Sequence, residues 1–401
     1  MKFNMIDLFS GCGGLTDGFM QVDKYKTLAA VDWELPTVQT LRNRLSSKWG
    51  YSQTDEKVIH FDMQRTDDLL NGWESDENYE SNIGLKNLVG REKVDVVIGG
   101  PPCQAYSIAG RIRDKNAMHD DYRNFLFESY IKIVKTLKPK ICIFENVQGI
   151  LSAAPGGISI VKRVIEEFSS AGYYAIPDLK SSALFDTSEF GIPQKRIRVI
   201  IIAIDKDEFV NYKQKANDFY NQLNSYKTSK PSTVGEAIGD MPKIFPLKKS
   251  QKRMSHFTEP NVRNLTSHEP RFHNSRDIEI FNLLSNDIKT EQFKYTHSDD
   301  LKALYTKKTG KTSSVHKYHV LRNDKPSNTI PAHLYKDGLR HIHPDPNQAR
   351  SITVREAARI QTFDDDFEFL GASGANYKMI GNAVPPMFAK YIANSVKHIL
   401  E

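Results

Sequence analysis

Seven short apolar runs constrain the first half of this chain more than any other feature. KFNMIDLF (2–9), TLAAVD (27–32), VIHFD (58–62), VDVVIGG (94–100) and KICIFEN (140–146) have the length and β-branched content of strands. Helical patterns lie between them, among them PTVQTLRNRL and FLFESYIKIVKTL. GYYAIPDL and IRVIIIAID (197–205) close the series, and the loop joining them predicts an antiparallel hairpin at one sheet edge. Strands alternating with helices predict an α/β fold with a doubly wound, mostly parallel sheet.

The pattern changes after Asp205. Apolar runs shorten, and Lys, Asn, Ser and His take over. Residues 206–325 hold 22 Lys and Arg against 14 Asp and Glu, a net +8, so the rest of the chain carries −2 of the total +6. A basic segment on a near-neutral frame points to a polyanion partner, although a solubilising surface would give the same count. FPLKKSQKRMSHF is the most basic patch, and EQFKYTHSDDLKALYTKKTGK is expected to hold a helix. Regular spacing returns in VPPMFAKYIANSVKHIL, an amphipathic helix with Val384, Phe388, Tyr391, Ile392, Ser395, Val396 and Ile399 on one face. The expected organisation is a domain over 1–205 completed by 375–401, with a smaller domain over 206–374.

A chain of 401 residues with 39% hydrophobic content can bury a sizeable core. No apolar run reaches the length of a membrane span, and the N-terminus lacks a leader pattern. Three cysteines at unrelated spacings suit neither a disulfide framework nor a zinc site, so a cytoplasmic protein with reduced thiols is expected. His256, His268, His273, His297, His316 and His319 show no metal-ligand spacing and are expected at the surface or facing a nucleic acid.

Two local features carry chemistry. In DLFSGCGGLTDGF, the glycines Gly11, Gly13 and Gly14 turn the chain from the first strand into a helix. A dinucleotide loop would read GxGxxG, but Thr16 stands at the third glycine position. Asp32 ends the second strand, where a carboxylate can accept from a ribose diol, and Asp62 ends the third. Trp33 and Phe9 offer aromatic faces. Together they suggest an adenosine-containing ligand, and with no P-loop pattern ATP hydrolysis is disfavoured. The second feature is GGPPCQAYS. Pro101 and Pro102 end the strand and stiffen the turn, which holds the thiol of Cys103 at the mouth of the sheet.

Six blocks then occur in order: DLFSGCGGLTDGF, GGPPCQAYS, FENVQGIL, GIPQKRIRVIIIA, VREAARIQTF and MIGNAVPPMFAKYIA. Together they resemble the ordered signature of the DNA cytosine-5 methyltransferases, especially those of bacterial restriction–modification systems. The resemblance spans 3–205 and about 318–401. It implies a Rossmann-like, S-adenosylmethionine-dependent methyltransferase sheet with a second, smaller DNA target-recognition domain. It further implies that Cys103 is the nucleophile, that Glu145 and its neighbour Asn146 hold the cytosine edge, and that Arg198 and its motif partner Arg196 assist. Phe9, Gly11, Gly13, Asp32, Trp33, Asp62, Met63, Pro102, Leu126, Asn382 and Val384 match positions around S-adenosylmethionine, whose product is S-adenosylhomocysteine. Gln104, Ser107, Arg111, Arg113 and Lys195 are expected to touch DNA, the first four from a basic loop that an ordinary solvated surface would equally explain, and residues 206–325 are expected to read the sequence. Arg355 and Glu356 match a bracing block. Phe363-Asp364-Asp365 departs from the usual Phe-Pro-Asp there, which leaves the local turn open.

The implied partner is double-stranded DNA, with no membrane, a monomeric enzyme and a functional pairing with a cognate restriction endonuclease. Three rivals remain. A tRNA cytosine methyltransferase shares the signature, but the large basic segment favours duplex DNA. A non-catalytic DNA-binding relative should have lost Cys103 or Glu145, and both are present. An NAD-dependent oxidoreductase needs the missing third glycine and leaves Pro-Pro-Cys unexplained.

Overall fold

The strands of the first half join one sheet. In the computed structural model, which describes residues 2–102, 126–154, 157, 159–260, 265–336 and 338–401, these are β1 (Phe3–Leu8), β2 (Tyr25–Asp32), β3 (Val58–His60), β4 (Val96–Gly99) and β5 (Ile141–Val147). β6 (Tyr173–Tyr174), β7 (Leu184–Asp186) and β8 (Ile197–Asp205) complete it. The order is β3-β2-β1-β4-β5-β8-β6, with β7 also paired to β8. β3, β2, β1, β4 and β5 run parallel, and β8 is antiparallel to β5, β6 and β7. The fold is α/β. Strands covered on both faces read as unbroken apolar runs, and Ile141, Cys142, Ile143 and Phe144 are all fully buried.

The expected edge hairpin takes a different form. GYYAIPDL contributes only Tyr173–Tyr174 to the sheet, since Pro177 has no N–H to donate. β7, which no periodicity marks, pairs with the other half of β8.

The chain divides into two compact units. The first comprises 1–190, 196–229 and 383–401. It keeps residues 206–229, because the helix Tyr212–Asn224 buries Phe219, Tyr220 and Leu223, and the Tyr220 hydroxyl donates to the Ile200 carbonyl of β8 at 3.0 Å. The change in composition at Lys206 therefore precedes the structural boundary at Lys230. The C-terminal helix Pro386–Leu400 packs against the helix Gly14–Met20. A side chain at Gly18 would come within 2.4 Å of both Ala389 Cβ and the Pro386 carbonyl, so the two helices meet closely only over glycine. The Tyr25 hydroxyl donates to the Ala393 carbonyl at 2.6 Å.

The second unit comprises 191–195 and 230–382. Its helices Ser275–Lys289 and Ser298–Thr309 bury Phe281, Leu284, Leu301 and Leu304 against Tyr318 and Ile342. β9 (Ile244–Gln251) and β10 (Met254–Thr258) form a separate antiparallel ribbon. The helix Val354–Ile360 starts with a capping box between Thr353 and Glu356. Glu356 also takes two 2.6 Å hydrogen bonds from Arg350. Arg355 donates to the carbonyls of Thr266, Asp364 and Phe367 at 2.8–3.1 Å, tying two loops to this helix. At the Phe363-Asp364-Asp365 departure, Asp365 pairs with both ends of the Arg359 guanidinium at 2.6–2.7 Å, and the Asp364 carbonyl accepts the Phe367 N–H. An ion pair fixes the turn where proline would have stiffened it.

The histidines correct one expectation. His256, His268 and His273 are 1%, 3% and 8% exposed, not at the surface. His256 Nε2 meets the Gln348 carbonyl at 3.1 Å, His268 Nε2 the Pro242 carbonyl at 2.8 Å, and His273 Nε2 the Ser351 hydroxyl at 3.1 Å. Aromatic size and two ring nitrogens let a neutral histidine serve as a core residue when partners are within reach. Among the described residues no helix is long and apolar enough to cross a membrane.

Candidate active site

Parallel register brings the candidate residues to one edge of the first unit. Leu8 pairs with Val31 and Gly99, Gly99 with Phe144, and Asp32 with His60. The loops that follow β1 to β4 and the last residues of β5 thus lie side by side at the carboxyl ends of the strands, where open α/β sheets bind ligands.

The β1 loop is built around Asp32. Its Oδ2 accepts the Gly11 N–H at 2.8 Å, while Oδ1 accepts the Glu34 N–H and the Thr37 hydroxyl, each at 2.9 Å. Phe9, with φ of 61°, and Gly11 and Gly13, at 53° and 92°, are left-handed. Any side chain at Gly14 would sit 2.4 Å from the Val384 carbonyl, so glycine is required there. Beneath the loop, Asp7 is fully buried and takes a 2.5 Å hydrogen bond from Thr16. Burial raises its pKa to about 7, with Asp32 adding to the rise. Asp17, also buried, receives Arg44 Nε at 2.6 Å, Trp49 Nε1 at 3.0 Å and Gln21 Nε2 at 3.2 Å. This clasp ties the helix after the loop to the helix Leu35–Ser47 that follows Asp32.

These residues fit an adenosine-bearing group. Asp32 retains about one of its roughly four acceptor positions after its three protein donors. Trp33 beside it is 55% exposed, an aromatic face left open next to a buried carboxylate. Asp62 follows β3, partly exposed, with Oδ1 accepting the Gln64 N–H at 2.9 Å. Nothing lies within 4 Å of where a Cβ on Gly11 would be, so the loop backbone is open to a ligand on that side. Met63 and Leu126 are buried, at 2% and 7% exposure, and Val384 is buried at 5%. Asn382 ends the helix Ser373–Asn382 in the second unit and is exposed.

A second cluster forms where β4 and β5 end. Arg198 Nε on β8 meets Glu145 Oε1 on β5 at 2.8 Å, and the two side chains are 11% and 12% exposed. Burial raises the Glu145 pKa, and the charges of Arg198 and Arg196 oppose that rise. Arg196 is itself buried, and desolvation then the Arg198 charge lower its pKa. A Cβ on Gly100 would lie 2.6 Å from Glu145 Oε2, so glycine lets the β4 turn run directly against this carboxyl. Asn146, buried, donates from Nδ2 to the Pro101 carbonyl at 3.3 Å. Asn146 thus ties the end of β5 to the backbone at Pro101. Cys103, Gln104, Ser107, Arg111 and Arg113 lie outside the described residues. Lys195 is exposed in the second unit, its N–H donating to the Ser327 carbonyl at 2.7 Å.

Sequence reasoning missed Asp7, Asp17 with Arg44, and Thr37. Thr37 falls in the first turn after Asp32 and could have been found as a local hydroxyl partner. Asp17 and Arg44 are 27 residues apart on different helices, with no local signal to pair them.

The model of the C-5 cytosine-specific DNA methylases matches residues 3–398. The type II methyltransferase M.Bpa9945I of Bacillus paralicheniformis is 33% identical, over 99% of this chain and 99% of its own length. The type II methyltransferase M1.HphI of Haemophilus parahaemolyticus is 30% identical, over 99% and 87%. In fold, the chain is similar to a prophage-encoded E. coli protein described as a DNA modification methyltransferase, with a TM-score of 0.62, 21% identity and coverage of 100% and 99%.

Proposed function

The chain belongs to the C-5 cytosine-specific DNA methylases, and we propose that it methylates C5 of a flipped-out cytosine in one duplex DNA sequence through a covalent bond from Cys103 to C6. Its curated relatives are type II methyltransferases, so the biological role proposed is protection of host DNA beside a cognate restriction endonuclease.

C5 of cytosine is a weak nucleophile because the ring delocalises its electrons. Addition of a thiolate to C6 breaks the conjugation and makes C5 enamine-like; loss of the C5 proton to a base and of the thiolate from C6 restores the ring. S-adenosylmethionine, when bound, supplies a methyl group activated by its sulfonium. The residues proposed to hold it are Asp32, Trp33, Asp62 and the Phe9–Gly14 loop, with Met63, Pro102, Leu126, Asn382 and Val384 around them.

Glu145 is assigned to hold a proton at cytosine N3 as charge develops there. A carboxyl whose pKa burial has raised is suited to that task. Arg198 fixes its orientation, and Asn146 is assigned to steady the backbone at Pro101, two residues before Cys103. A stacked base cannot reach such a strand-end site, so the cytosine leaves the duplex. The second unit is assigned target recognition.

The observation that carries this reading is the Glu145–Arg198 pair set against Gly100 and, through Asn146, against Pro101. Bisulfite sequencing of a bacterial host expressing the chain tests it. The expected result is 5-methylcytosine at a single sequence, absent with Cys103→Ala. Unmodified DNA together with methylated tRNA would replace this reading with the tRNA alternative.

A further inference from the structure

The ribbon β9–β10 has a charge and an exposure pattern that the packing of its own unit does not use. Between Ile244 and Thr258 there are four lysines and arginines, Lys248, Lys249, Lys252 and Arg253, and no acid. All four are exposed, and none forms an ion pair among the described residues. The turn is tight. Gln251 pairs with Met254, leaving only Lys252 and Arg253 between the strands, and Arg253 takes the left-handed conformation, φ 66°, that glycine or asparagine would adopt more easily. Two large apolar side chains also face solvent, Met254 at 44% and Phe257 at 48% exposure, with Phe245 beside Phe257 at 5.8 Å between rings.

The base of the same ribbon is rigidly held. The Ile244 N–H donates to Gln348 Oε1 at 3.1 Å. His256 spans the Gln348 carbonyl and the Ser255 hydroxyl, and that hydroxyl accepts the His273 N–H at 2.9 Å. A ribbon fixed at its base by buried hydrogen bonds, with a purely cationic tip, is a projecting probe for a polyanion. Its dimensions suit one in particular. β10 pairs with Ile244–Pro246 at one end and with Gln251 at the other, and a register break leaves residues 247–250 bulged opposite Ser255. The five residues of β10 span about 17 Å, with paired backbones about 4.8 Å apart. The major groove of B-DNA, about 12 Å wide, admits a two-stranded ribbon.

We propose that β9–β10 is the element of the second unit that enters the DNA major groove, its tip cations on phosphates and Phe257 against base edges. This rests on the DNA methyltransferase reading above and names the recognition element within it. Lysines on an unpaired edge also discourage strand-to-strand aggregation. That role predicts a more aggregation-prone variant, whereas groove entry predicts altered DNA binding.

The test uses the full chain and two 30-base-pair duplexes, one carrying the sequence found by bisulfite mapping and one lacking it. Each phosphate contact contributes a slope of about −0.9 to log affinity against log salt. Lys248→Gln/Lys249→Gln/Lys252→Gln/Arg253→Gln should make that slope shallower by about three to four and raise Kd about tenfold or more on both duplexes at 0.1 M salt. S-adenosylhomocysteine affinity should stay unchanged. Lys248→Gln/Arg253→Gln should give about half the change in slope, which guards against misfolding of the fourfold variant. Phe257→Ala should narrow the preference for the mapped sequence with little change in slope. Wild-type slope and affinity in both charge variants would overturn the proposal while leaving the methyltransferase reading intact. Absence of duplex binding by the wild-type protein would overturn both.

Discussion

Replacing Glu145 by glutamine separates a catalytic carboxyl from a structural one. Glutamine keeps the shape and still offers an oxygen to Arg198, whose Nε lies 2.8 Å from the native carboxylate. What is lost is the charge. Arg198 stays ionised in the variant, so its hydrogen bond to the amide oxygen keeps one charged partner and moves only from the top toward the bottom of the about 1.5–3 kcal/mol range for such bonds, a loss of about 1–2 kcal/mol. Part of that is offset, since a carboxyl at 12% exposure no longer has to be desolvated as an anion. The expected stability change is therefore about 1 kcal/mol, or about 1 °C in melting temperature for a chain of 401 residues, at about 2.1 cal/mol/K of unfolding entropy per residue. Loss of a positioned proton donor costs about 10²–10⁴-fold in rate, equivalent to about 3–5 kcal/mol of barrier. Glu145→Gln should thus lower kcat at least 100-fold while the melting temperature and S-adenosylhomocysteine affinity hardly move. pH adds a second signature. Burial raises the native pKa of Glu145 and its protonated form is the active one, so wild-type kcat falls as pH rises through that pKa. The glutamine variant should lack this limb. Single-turnover methylation with matched thermal melts measures both, and a kcat within tenfold of wild type would refute the assignment.

Three further outcomes are expected. Asp32→Ala removes the acceptor for Gly11, Glu34 and Thr37 and should weaken S-adenosylhomocysteine binding at least tenfold by calorimetry; unchanged affinity would contradict this. Arg44→Ala leaves Asp17 buried without its cation, at a cost of about 3–5 kcal/mol, and chemical denaturation should show that loss largely recovered on adding Asp17→Asn. In the second unit, burial lowers the pKa of His273 and His341 to about 3 and of His343 to about 4, all below the unfolded value of 6.5. Their stabilising effect is complete above pH 6.5 and is lost as pH falls toward 4, by about 1.4 kcal/mol per histidine per pH unit; melting temperatures that stay constant from pH 7 to pH 4.5 would contradict it.

Legibility in the sequence follows how local each interaction is. IRVIIIAID marks β8 to the residue because a strand covered on both faces must be continuously apolar. Asp32, Asp62 and Glu145 could be placed together because parallel strands bring their carboxyl ends to one edge, whatever lies between them in sequence. β7 could not be read, since Leu184–Asp186 is only three residues and owes its conformation to β8. Polar pairs between distant helices, such as Asp17 with Arg44, leave no periodic trace. Histidine composition misled for a related reason. His256 and His273 sit in a basic, polar stretch, yet the Gln348 carbonyl and the Ser351 hydroxyl, about 80–90 residues on, supply the partners that make burial tolerable.

A bond from Cys103 to C6 of the target base can be trapped directly. Duplex DNA in which every cytosine is replaced by 5-fluorocytosine has no C5 proton to lose, so the covalent species should accumulate once S-adenosylmethionine is added. Denaturing electrophoresis should show a protein–DNA adduct, and peptide mass spectrometry should place it on Cys103. Absence of that adduct, from a preparation that still methylates ordinary DNA, would contradict the account.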